Sequence, residues 1–345
     1  MTVLLDHIRH SVIGDKQGIS TPFGEKPLVY ADYTASGRSL SFIEEFIQQQ
    51  VLPYYANTHT ETSFTGAQTT ALREDARQQI RTSLNCSAAD KVIFCGSGAT
   101  AAINKLLDIL NLRLPQDLSR QYSLKNQIPE TKRPVIFIGP YEHHSNELPW
   151  RECIADVISI PETACGQIDV QALEEQLSAY AERPMLIGSF SAASNVTGIK
   201  SDVAAITGLL KRHNALAFWD YAAAAPYVGI NMNGENPIDA VFISPHKFIG
   251  GPGTPGLLVV KESILTNSVP TTVGGGTVAY VTPQDHRYID DKEQREEGGT
   301  PAIVESVRAG LVFKLQQEVG TDEIERLEGD FITRAIARFT TCENL

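Results

Sequence analysis

The 345-residue sequence has no apolar run close to the roughly 20 residues that a membrane-spanning helix requires. Its first residues, MTVLLDHIRHSVIGDKQG, are too polar for a signal peptide. Basic residues are in the minority, since 29 Lys and Arg stand against 41 Asp and Glu, for a formal net charge of −12. This balance argues against a general nucleic-acid surface and against attraction to anionic lipid. We therefore expect neither nucleic acid nor membrane as a partner.

Cysteine is also scarce, and no pair has the CxxC spacing of a zinc or redox site. We expect reduced thiols in a cytoplasmic protein rather than a disulfide framework; the five are Cys86, Cys95, Cys153, Cys165 and Cys342. Hydrophobic residues make up 42% of the chain and charged residues 20%, which is typical of a globular protein with a sizeable core. The length exceeds what one compact core usually holds, so we expect a large domain and part of a second.

Short apolar runs alternate with helical patterns through most of the chain, which indicates a mostly parallel α/β sheet covered by helices on both faces. Strands are predicted at 28–30, 92–95, 135–138, 157–160, 185–190, 216–219, 240–243 and 257–260. Helices are predicted near the N-terminus and at 42–51, 67–84, 101–112, 170–181, 203–213, 303–319 and 322–339, with a polar insertion at 113–133. Polar clusters follow the strands, so they should gather along one edge of the sheet.

The stretch DAVFISPHKFIGGPGTPG, residues 239–256, places Lys247 just past a buried strand. Desolvation at such a position lowers the pKa of an ammonium group, so the amine can attack an aldehyde. A solvated surface lysine is the alternative. Asp220 ends the apolar run ALAFW, where a carboxylate needs a cation such as a protonated pyridine nitrogen, unless it caps a helix. Strand–connection–strand spacing allows the two residues to lie on neighbouring strand ends.

Three further clusters follow strands. In GSGATAAIN, backbone N–H groups at a helix start and the Thr100 hydroxyl suit a phosphate, although a tight strand–helix turn has the same pattern. His143 and His144 offer a flat imidazole that can stack on a ring, and Asn195 can donate a hydrogen bond to a ring oxygen. A solvated histidine pair and a turn asparagine are the alternatives. An amine, a carboxylate, an anion site and a stacking partner are together what pyridoxal 5′-phosphate requires.

The chain resembles the class V aminotransferases of fold type I, especially the cysteine desulfurase and selenocysteine lyase branch. The resemblance rests on motifs that occur in order: YADYTASGR, YANTHT, SGATAAIN, EHHSNELPW, ASNVTG, WDYAAA, SPHKFIGGPGTPG and REEGGTP. It implies a seven-stranded, mostly parallel sheet between helices and pyridoxal 5′-phosphate as cofactor. The implied domains are an arm at 1–27, a large cofactor-binding domain at 28–310 and the start of a small C-terminal domain at 311–345.

The resemblance also implies a role for each site residue. Lys247 would bind the cofactor as a Schiff base, Asp220 would pair with the ring nitrogen, His143 would stack on the ring, and Asn195 would contact the ring oxygen region. The phosphate would be held by four residues, namely Ala99, Thr100, Ser244 and His246. Thr300, in GGTP, would reach the phosphate site of the partner subunit in a homodimer.

Two features depart from the family pattern. Desulfurases usually have a glutamine where this chain has Ala223, and DYAAA and GGGTVAYV are closer to the cofactor domain of molybdenum-cofactor sulfurases. The sheet of the small domain, with the arginine that binds the substrate carboxylate, is not expected in the residues after Lys247. Arg334 and Arg338 fall on a predicted helix, and Cys342 comes early for a persulfide cysteine. We therefore expect an incomplete C-terminal domain and slow turnover.

The leading expectation is an enzyme that acts on a small amino acid and cleaves a C–S bond as a cysteine desulfurase does. An aminotransferase or epimerase on the same scaffold is the first alternative, because neither needs a cysteine nucleophile. A protein that binds the cofactor without turnover is the second. Alanine plus sulfide as products, as opposed to a keto acid or no product, would distinguish the three.

Overall fold

The computed structural model describes residues 2–58 and 62–342. Its helices are α1 (Thr2–Ser11), α2 (Ser41–Phe46), α3 (Phe64–Ser83), α4 (Gly98–Ile109), α5 (Gln116–Tyr122), α6 (Leu124–Gln127), α7 (Leu148–Arg151), α8 (Val170–Ala179), α9 (Val203–Arg212), α10 (Lys292–Arg295), α11 (Ile303–Val319) and α12 (Thr321–Phe339). Its strands are β1 (Gly18–Thr21), β2 (Gly24–Pro27), β3 (Asp90–Cys95), β4 (Val135–Ile138), β5 (Asp156–Ser159), β6 (Leu186–Ser191), β7 (Leu216–Asp220), β8 (Ala240–Ile243), β9 (Gly256–Lys261), β10 (Val278–Val281) and β11 (His286–Tyr288).

Seven strands form the central sheet in the order β3-β9-β8-β7-β6-β4-β5. Neighbouring strands from β8 to β5 pair in parallel, and only β9 runs antiparallel to both of its neighbours. The predicted mostly parallel seven-stranded sheet is therefore confirmed. Because β9 is reversed, its first residue, Gly256, lies at the same edge as the last residues of β3, β7 and β8. The polar segments that follow the parallel strands also meet at this edge.

Both faces of the sheet are buried under helices, which explains why the strands lack an apolar–polar alternation. Successive residues of β3 point to opposite cores: Val92 and Phe94 pack into one, and Ile93 and Cys95 into the other. The first core takes in α3, α8, α9 and α11, and the second is closed mainly by α4 and Trp150. Burial on both sides holds the polar edge of the sheet in a fixed position.

Three of the longer helices begin at a polar side chain that accepts a hydrogen bond from a free backbone N–H group. Ser63 accepts from Gly66 at the start of α3, and Asp169 and Asp202 do the same for α8 and α9. Helices α3 and α11 approach closely at Gly310, where an added Cβ would lie 2.5 Å from the Cβ of Ala76. The contact brings the REEGGTP segment, which leads into α11, against β3.

The sequence prediction was wrong in the N-terminal region. Residues 28–30 are not a strand: Val29 is 81% exposed, and the chain there is irregular. Polar residues just before it instead form the antiparallel β1–β2 hairpin, closed by the turn at 21–24. The predicted helix 42–51 is helical but changes from α to a π turn at Ile47. The polar insertion 113–133 contains α5 and α6.

The YANTHT motif is only partly described by the structure, and the predicted domain boundary at 310 is not tested by it. The end of the YANTHT motif, residues 59 and 60, lies outside the described residues. The predicted domain boundary at 310 falls inside α11, which continues unbroken to Val319, and the division into domains stays a prediction. In the ranges 2–58 and 62–342, no helix has both the length and the apolar character needed to cross a membrane.

Candidate active site

A cavity of about 1030 Å³ opens at the carboxyl edge of the central sheet. It is walled by the segments that follow β3, β4, β6, β7 and β8 and by the loop before β9. All of the predicted site residues except Thr300 line it, namely Ala99, Thr100, His143, Asn195, Asp220, Ser244, His246 and Lys247. The fold thus brings together residues that lie up to about 150 positions apart in the sequence.

The start of α4 forms a cradle of small residues and donors. Gly98 has a φ of 56°, a left-handed conformation that favours glycine, and an added Cβ would lie 2.9 Å from the Ser244 hydroxyl oxygen. The backbone N–H of Ala99 donates to that hydroxyl oxygen at 2.8 Å. The Thr100 and Ser145 hydroxyl oxygens are 2.6 Å apart. A helix N-terminus with hydroxyl groups around it is a ready site for a phosphate.

Lys247 ends the short 3-10 turn Pro245–Lys247 that follows β8. Burial lowers the pKa of its ammonium group, and the carboxylates of Asp220 and Asp32 offset only part of that effect. More of the amine is therefore unprotonated near neutral pH than in an exposed lysine. Its neighbour His246 also has a lowered pKa, first through burial and then through repulsion from Lys247.

Asp220 is the last residue of β7 and is only 4% exposed. Strands β7 and β8 are neighbours, with Asp220 paired to Phe242, so Asp220 and Lys247 follow adjacent strands. Burial raises the pKa of the Asp220 carboxyl, while the Ala222 N–H, which donates to it at 2.8 Å, and the nearby Lys247 lower it. A buried carboxylate with one backbone donor has room to bind a cation.

His143 lies in the segment between β4 and α7, and its side chain faces solvent at the mouth of the cavity. The backbone N–H of Ser145 donates to Nδ1 of His143 at 3.1 Å. A neutral imidazole with this contact carries its proton on Nε2. Asn195 lies exposed in the segment after β6 and lines the same cavity.

Several cavity residues were not singled out in the sequence, although their motifs were. Asp32 and Ser36 belong to YADYTASGR, which packs against the lysine turn: the Ser36 hydroxyl donates to the His246 carbonyl at 3.2 Å, and the Gly37 N–H donates to the same oxygen at 2.9 Å. Glu305 reaches the cavity from the first turn of α11. The carboxylates could not be placed from the sequence, because their segments meet the cavity only through tertiary packing.

Cys95 lines the cavity, but burial raises the pKa of its thiol to about 12, so it stays protonated at neutral pH.

Thr300 does not line the cavity of its own chain; it is exposed, with its hydroxyl 3.5 Å from Nδ2 of Asn57. Its role toward a partner subunit stays a prediction, as do the roles of the other site residues toward a cofactor.

The cavity residues fit pyridoxal 5′-phosphate in size and chemistry. The cradle at Gly98 would be filled by a Cβ and offers donors for a phosphate, Asp220 is a buried carboxylate for a ring nitrogen, and Lys247 supplies an amine with a lowered pKa. These groups surround one volume, which is large enough for a cofactor of that size together with a small substrate.

Solved structures have the same fold as this chain. The apo cysteine desulfurase from Thermococcus onnurineus NA1 aligns with a TM-score of 0.78 and 21% identity, over 96% of this chain and 75% of that one. The cysteine desulfurase CsdA from Escherichia coli aligns with a TM-score of 0.71 and 21% identity, over 90% and 73% of the two chains. The fold is therefore fold type I of the pyridoxal phosphate-dependent enzymes, as predicted.

Within that class, the chain belongs to the aminotransferase class-V family, whose model matches residues 29–345. Curated relatives include a probable cysteine desulfurase from Halalkalibacterium halodurans, 28% identical over 323 residues, which are 92% of this chain and 74% of the relative. A second, from Staphylococcus aureus, is 25% identical over 340 residues, 97% of this chain and 77% of the relative. The resemblance found in the motifs is confirmed, and the protein is an enzyme of the class V aminotransferase type.

Proposed function

We propose that this protein binds pyridoxal 5′-phosphate at Lys247 and acts on a small amino acid as a cysteine desulfurase does. The observation that carries the proposal is the convergence of Lys247, Asp220 and the Ala99–Ser244 cradle on one cavity. Each group alone has an ordinary structural explanation, but their combination matches the cofactor's aldehyde, ring nitrogen and phosphate. The curated relatives named probable cysteine desulfurases favour cysteine as the substrate.

The cradle would hold the cofactor by its phosphate. The Ala99 N–H and the hydroxyl groups of Thr100 and Ser244 supply donors, and the start of α4 supplies the favourable end of a helix dipole. His246, also at the cavity wall, would complete the set. The Ala99 N–H, which now donates to Ser244, would exchange that contact for a phosphate oxygen.

Around the ring, Asp220 would pair with the nitrogen and keep it protonated. His143 would cover one face, and Asn195 would contact the ring oxygen. Ala223, which also lines the cavity, contributes no polar atom from its side chain. When bound, the cofactor supplies an electron sink for the bonds at the substrate Cα.

Lys247 would bind the cofactor aldehyde through its amine and later move a proton at the substrate Cα. Its lowered pKa suits both tasks, because each requires the unprotonated amine near neutral pH. Asp220 and Asp32 keep the pKa from falling further, so the amine can still take up a proton.

We also propose that the enzyme is a homodimer in which Thr300 of one subunit approaches the phosphate site of its partner. The exposure of Thr300 and its separation from the cavity of its own chain support this arrangement. Light scattering with and without pyridoxal phosphate tests it: a monomer that binds the cofactor tightly would contradict it.

The function is tested by adding pyridoxal phosphate to the purified protein and reducing the complex with borohydride. We expect a pyridoxyl label on Lys247, no label in the Lys247→Ala variant, and an unchanged label in Lys200→Ala, whose exposed lysine pairs with Glu325. A label on another lysine would overturn the assignment.

The substrate is tested with protein that has bound pyridoxal phosphate but has not been reduced with borohydride. Incubation with cysteine and an excess of a dithiol, which supplies the two electrons that convert the released sulfane sulfur to sulfide, should yield alanine and sulfide in equal amounts. Lys247→Ala should yield neither. A keto acid or a racemised amino acid in place of sulfide would identify an aminotransferase or an epimerase on this scaffold.

A further inference from the structure

We propose that Glu142 is a positioning residue that fixes the His143 segment to strand β6 and so holds the imidazole over the cavity. The inference rests on the proposed function, since it concerns how that site is kept in shape for its cofactor. Glu142 precedes His143 directly, and the proposed function gives it no role. Its side chain turns away from the cavity mouth and inward.

The Glu142 carboxylate accepts four hydrogen bonds from two segments. Oε1 accepts from the backbone N–H groups of Gly139 at 3.2 Å and Ser191 at 2.9 Å. Oε2 accepts from the Ser191 hydroxyl at 2.6 Å and from Nδ2 of Asn146 at 2.7 Å. Gly139 and Asn146 flank His143 on its own segment, whereas Ser191 ends β6. The carboxylate therefore connects both sides of the His143 segment to the sheet.

Asn146 and Trp150 extend this network into the core. Nδ2 of Asn146 also donates to the Ser189 carbonyl at 3.2 Å, and its Oδ1 accepts from the Ser189 hydroxyl at 2.7 Å and from the Trp150 indole at 3.2 Å. Asn146 and Trp150 are fully buried. Glu142, Asn146 and Trp150 occur at four-residue intervals in EHHSNELPW, so one motif supplies three connected members of the network.

The network reaches His143 and Asp220 through the backbone. The Asn146 N–H donates to the His143 carbonyl at 2.7 Å, which places the histidine directly on the anchored segment. Ser191 is paired in register with Asp220, and it also lines the cavity. A single carboxylate thus fixes the residue proposed to cover the ring relative to the residue proposed to pair with its nitrogen. Networks in which every polar group is satisfied hold geometry more firmly than isolated contacts do.

The main test replaces the acceptor without changing its size. Glu142→Gln substitutes an amide nitrogen for one oxygen, and that nitrogen cannot accept from Asn146. At pH 8, where Glu142, with a pKa that burial raises to about 7, is largely ionised, we expect the Kd for pyridoxal phosphate to rise about tenfold. This is roughly the effect of losing one hydrogen bond to a charged group.

The matched control is Glu147→Gln, the same chemical change five residues further along the segment. Glu147 pairs with the exposed side chain of Arg151 and takes no part in the network. We expect its Kd to equal that of the wild type. Fluorescence titration with the cofactor measures both variants.

A second variant displaces the carboxylate without removing it. A Cβ on Gly139 would lie 2.6 Å from Oε1 of Glu142 but 3.6 Å from Ile168, so Gly139→Ala pushes only the end of a flexible side chain. We expect a loss in the same direction as for Glu142→Gln. The double variant should bind no more weakly than Glu142→Gln alone, because both changes act through one group. This variant also decides the question if Glu142→Gln does not fold.

A readout without cofactor is hydrogen exchange of the apo protein. In Glu142→Gln and Gly139→Ala, amides in residues 139–150 should exchange about tenfold faster or more, while those of α9 stay unchanged. If wild type binds the cofactor and Glu142→Gln matches Glu147→Gln in both Kd and exchange, this proposal is overturned and the proposed function stands. If wild type binds no pyridoxal phosphate, the proposed function is overturned, and this inference with it.

Discussion

Replacing Glu297 by glutamine should destabilise the protein by about 3–5 kcal/mol, the usual result of removing one partner from a buried ion pair. Glu297 lies in REEGGTP, just before the loop that carries Thr300. Its carboxylate binds Arg73 at 2.6 Å and Arg77 at 3.0 Å, and it accepts from the backbone N–H of Phe94 at 2.7 Å. The three charged side chains are at most 8% exposed.

The expected loss follows from what the substitution leaves behind. Both guanidinium groups remain buried on α3, stacked over the Phe94 ring at 4.9 and 5.0 Å. Arg73 loses its carboxylate partner, whereas Arg77 keeps its contacts with Glu74 at 3.1 Å and Glu293 at 3.6 Å. A glutamine oxygen can still accept from Phe94, so the loss comes mainly from the buried charge of Arg73 and from the weaker compensation of Arg77. Against a total stability of about 5–15 kcal/mol for a typical protein, a change of this size is readily measured.

Urea unfolding followed by fluorescence measures the loss, because Trp150 and Trp219 are fully buried and are the only tryptophans in the chain. Glu323→Gln, which removes a partner of the exposed Arg326, should leave the midpoint unchanged. A loss below about 1 kcal/mol for Glu297→Gln, the range of surface pairs, would refute the claim that this pair stabilises the fold.

The contacts of Glu297 with Arg73 and Arg77 also make the stability of the protein depend on pH, in a direction that can be worked out. Burial alone would raise the pKa of Glu297, but Arg77 and Arg73 lower it below its ordinary value. A carboxyl with a lowered folded-state pKa stabilises the protein fully above its unfolded-state pKa, and that contribution is lost as the pH falls through the folded-state pKa. The gap between wild type and Glu297→Gln should therefore be largest near neutral pH and close in acid.

Three further predictions concern the cavity. Gly256→Ala should destabilise the cradle by about 1–3 kcal/mol and weaken cofactor binding in a spectral titration, because its Cβ would overlap the Gly98 carbonyl. Asp220→Ala should still take the borohydride label, but turnover in a product assay should fall by roughly a hundredfold or more once the paired charge is gone. Asp32→Asn should lower the pKa of Lys247 further and shift the pH profile of cofactor attachment to lower pH, measured by stopped-flow absorbance.

A specific result would contradict each of these three predictions. For the first, Gly274→Ala is the matched control, because an added Cβ there meets nothing within 4 Å; equal binding by both alanine variants would show that the cradle is not used. Unchanged turnover in Asp220→Ala would remove Asp220 from the mechanism. A profile that moves to higher pH in Asp32→Asn would show that the charge of Asp32 does not reach Lys247.

The sheet could be predicted from the sequence because its strands are continuous apolar runs, such as AVFI in β8 and VIFI in β4. Runs of this kind are buried on both faces, and polar clusters mark their ends. The N-terminal hairpin could not be predicted, because β1 and β2 are short, polar and largely exposed. Residues 28–30 are apolar but irregular, and Val29 is 81% exposed.

The cavity residues could be predicted where a chemical type stood at a strand end, as for Lys247 and Asp220. The buried carboxylates Glu142 and Glu297 could not, because their partners are distant in sequence: Ser191 is 49 positions from Glu142, and Arg77 is 220 from Glu297. A glutamate in a polar motif resembles a surface residue until the tertiary partners are known. Local pattern therefore located the proposed reacting groups in the cavity, but not the carboxylates proposed to hold the segments around them.

Glu142, Glu296 and Glu297 have one physical principle in common. Each carboxylate is withdrawn from water, and each accepts a backbone N–H from a neighbouring strand or loop: Ser191 for Glu142, Thr271 for Glu296 and Phe94 for Glu297. A carboxylate can accept several hydrogen bonds at once, so it can fasten a loop to two places where an amide or hydroxyl could fasten it to fewer.

The three carboxylates differ in the groups that offset the cost of their burial. Lys105 faces Glu296, and Arg73 and Arg77 face Glu297, so a cationic side chain compensates each of these two carboxylates beside the GGTP loop. The four groups that donate to Glu142 are neutral, the Asp220 carboxylate is nearby, and burial raises the pKa of Glu142 to about 7. It is therefore the anchor whose strength depends on pH in the neutral range, and it is the one that stands next to the proposed catalytic residues.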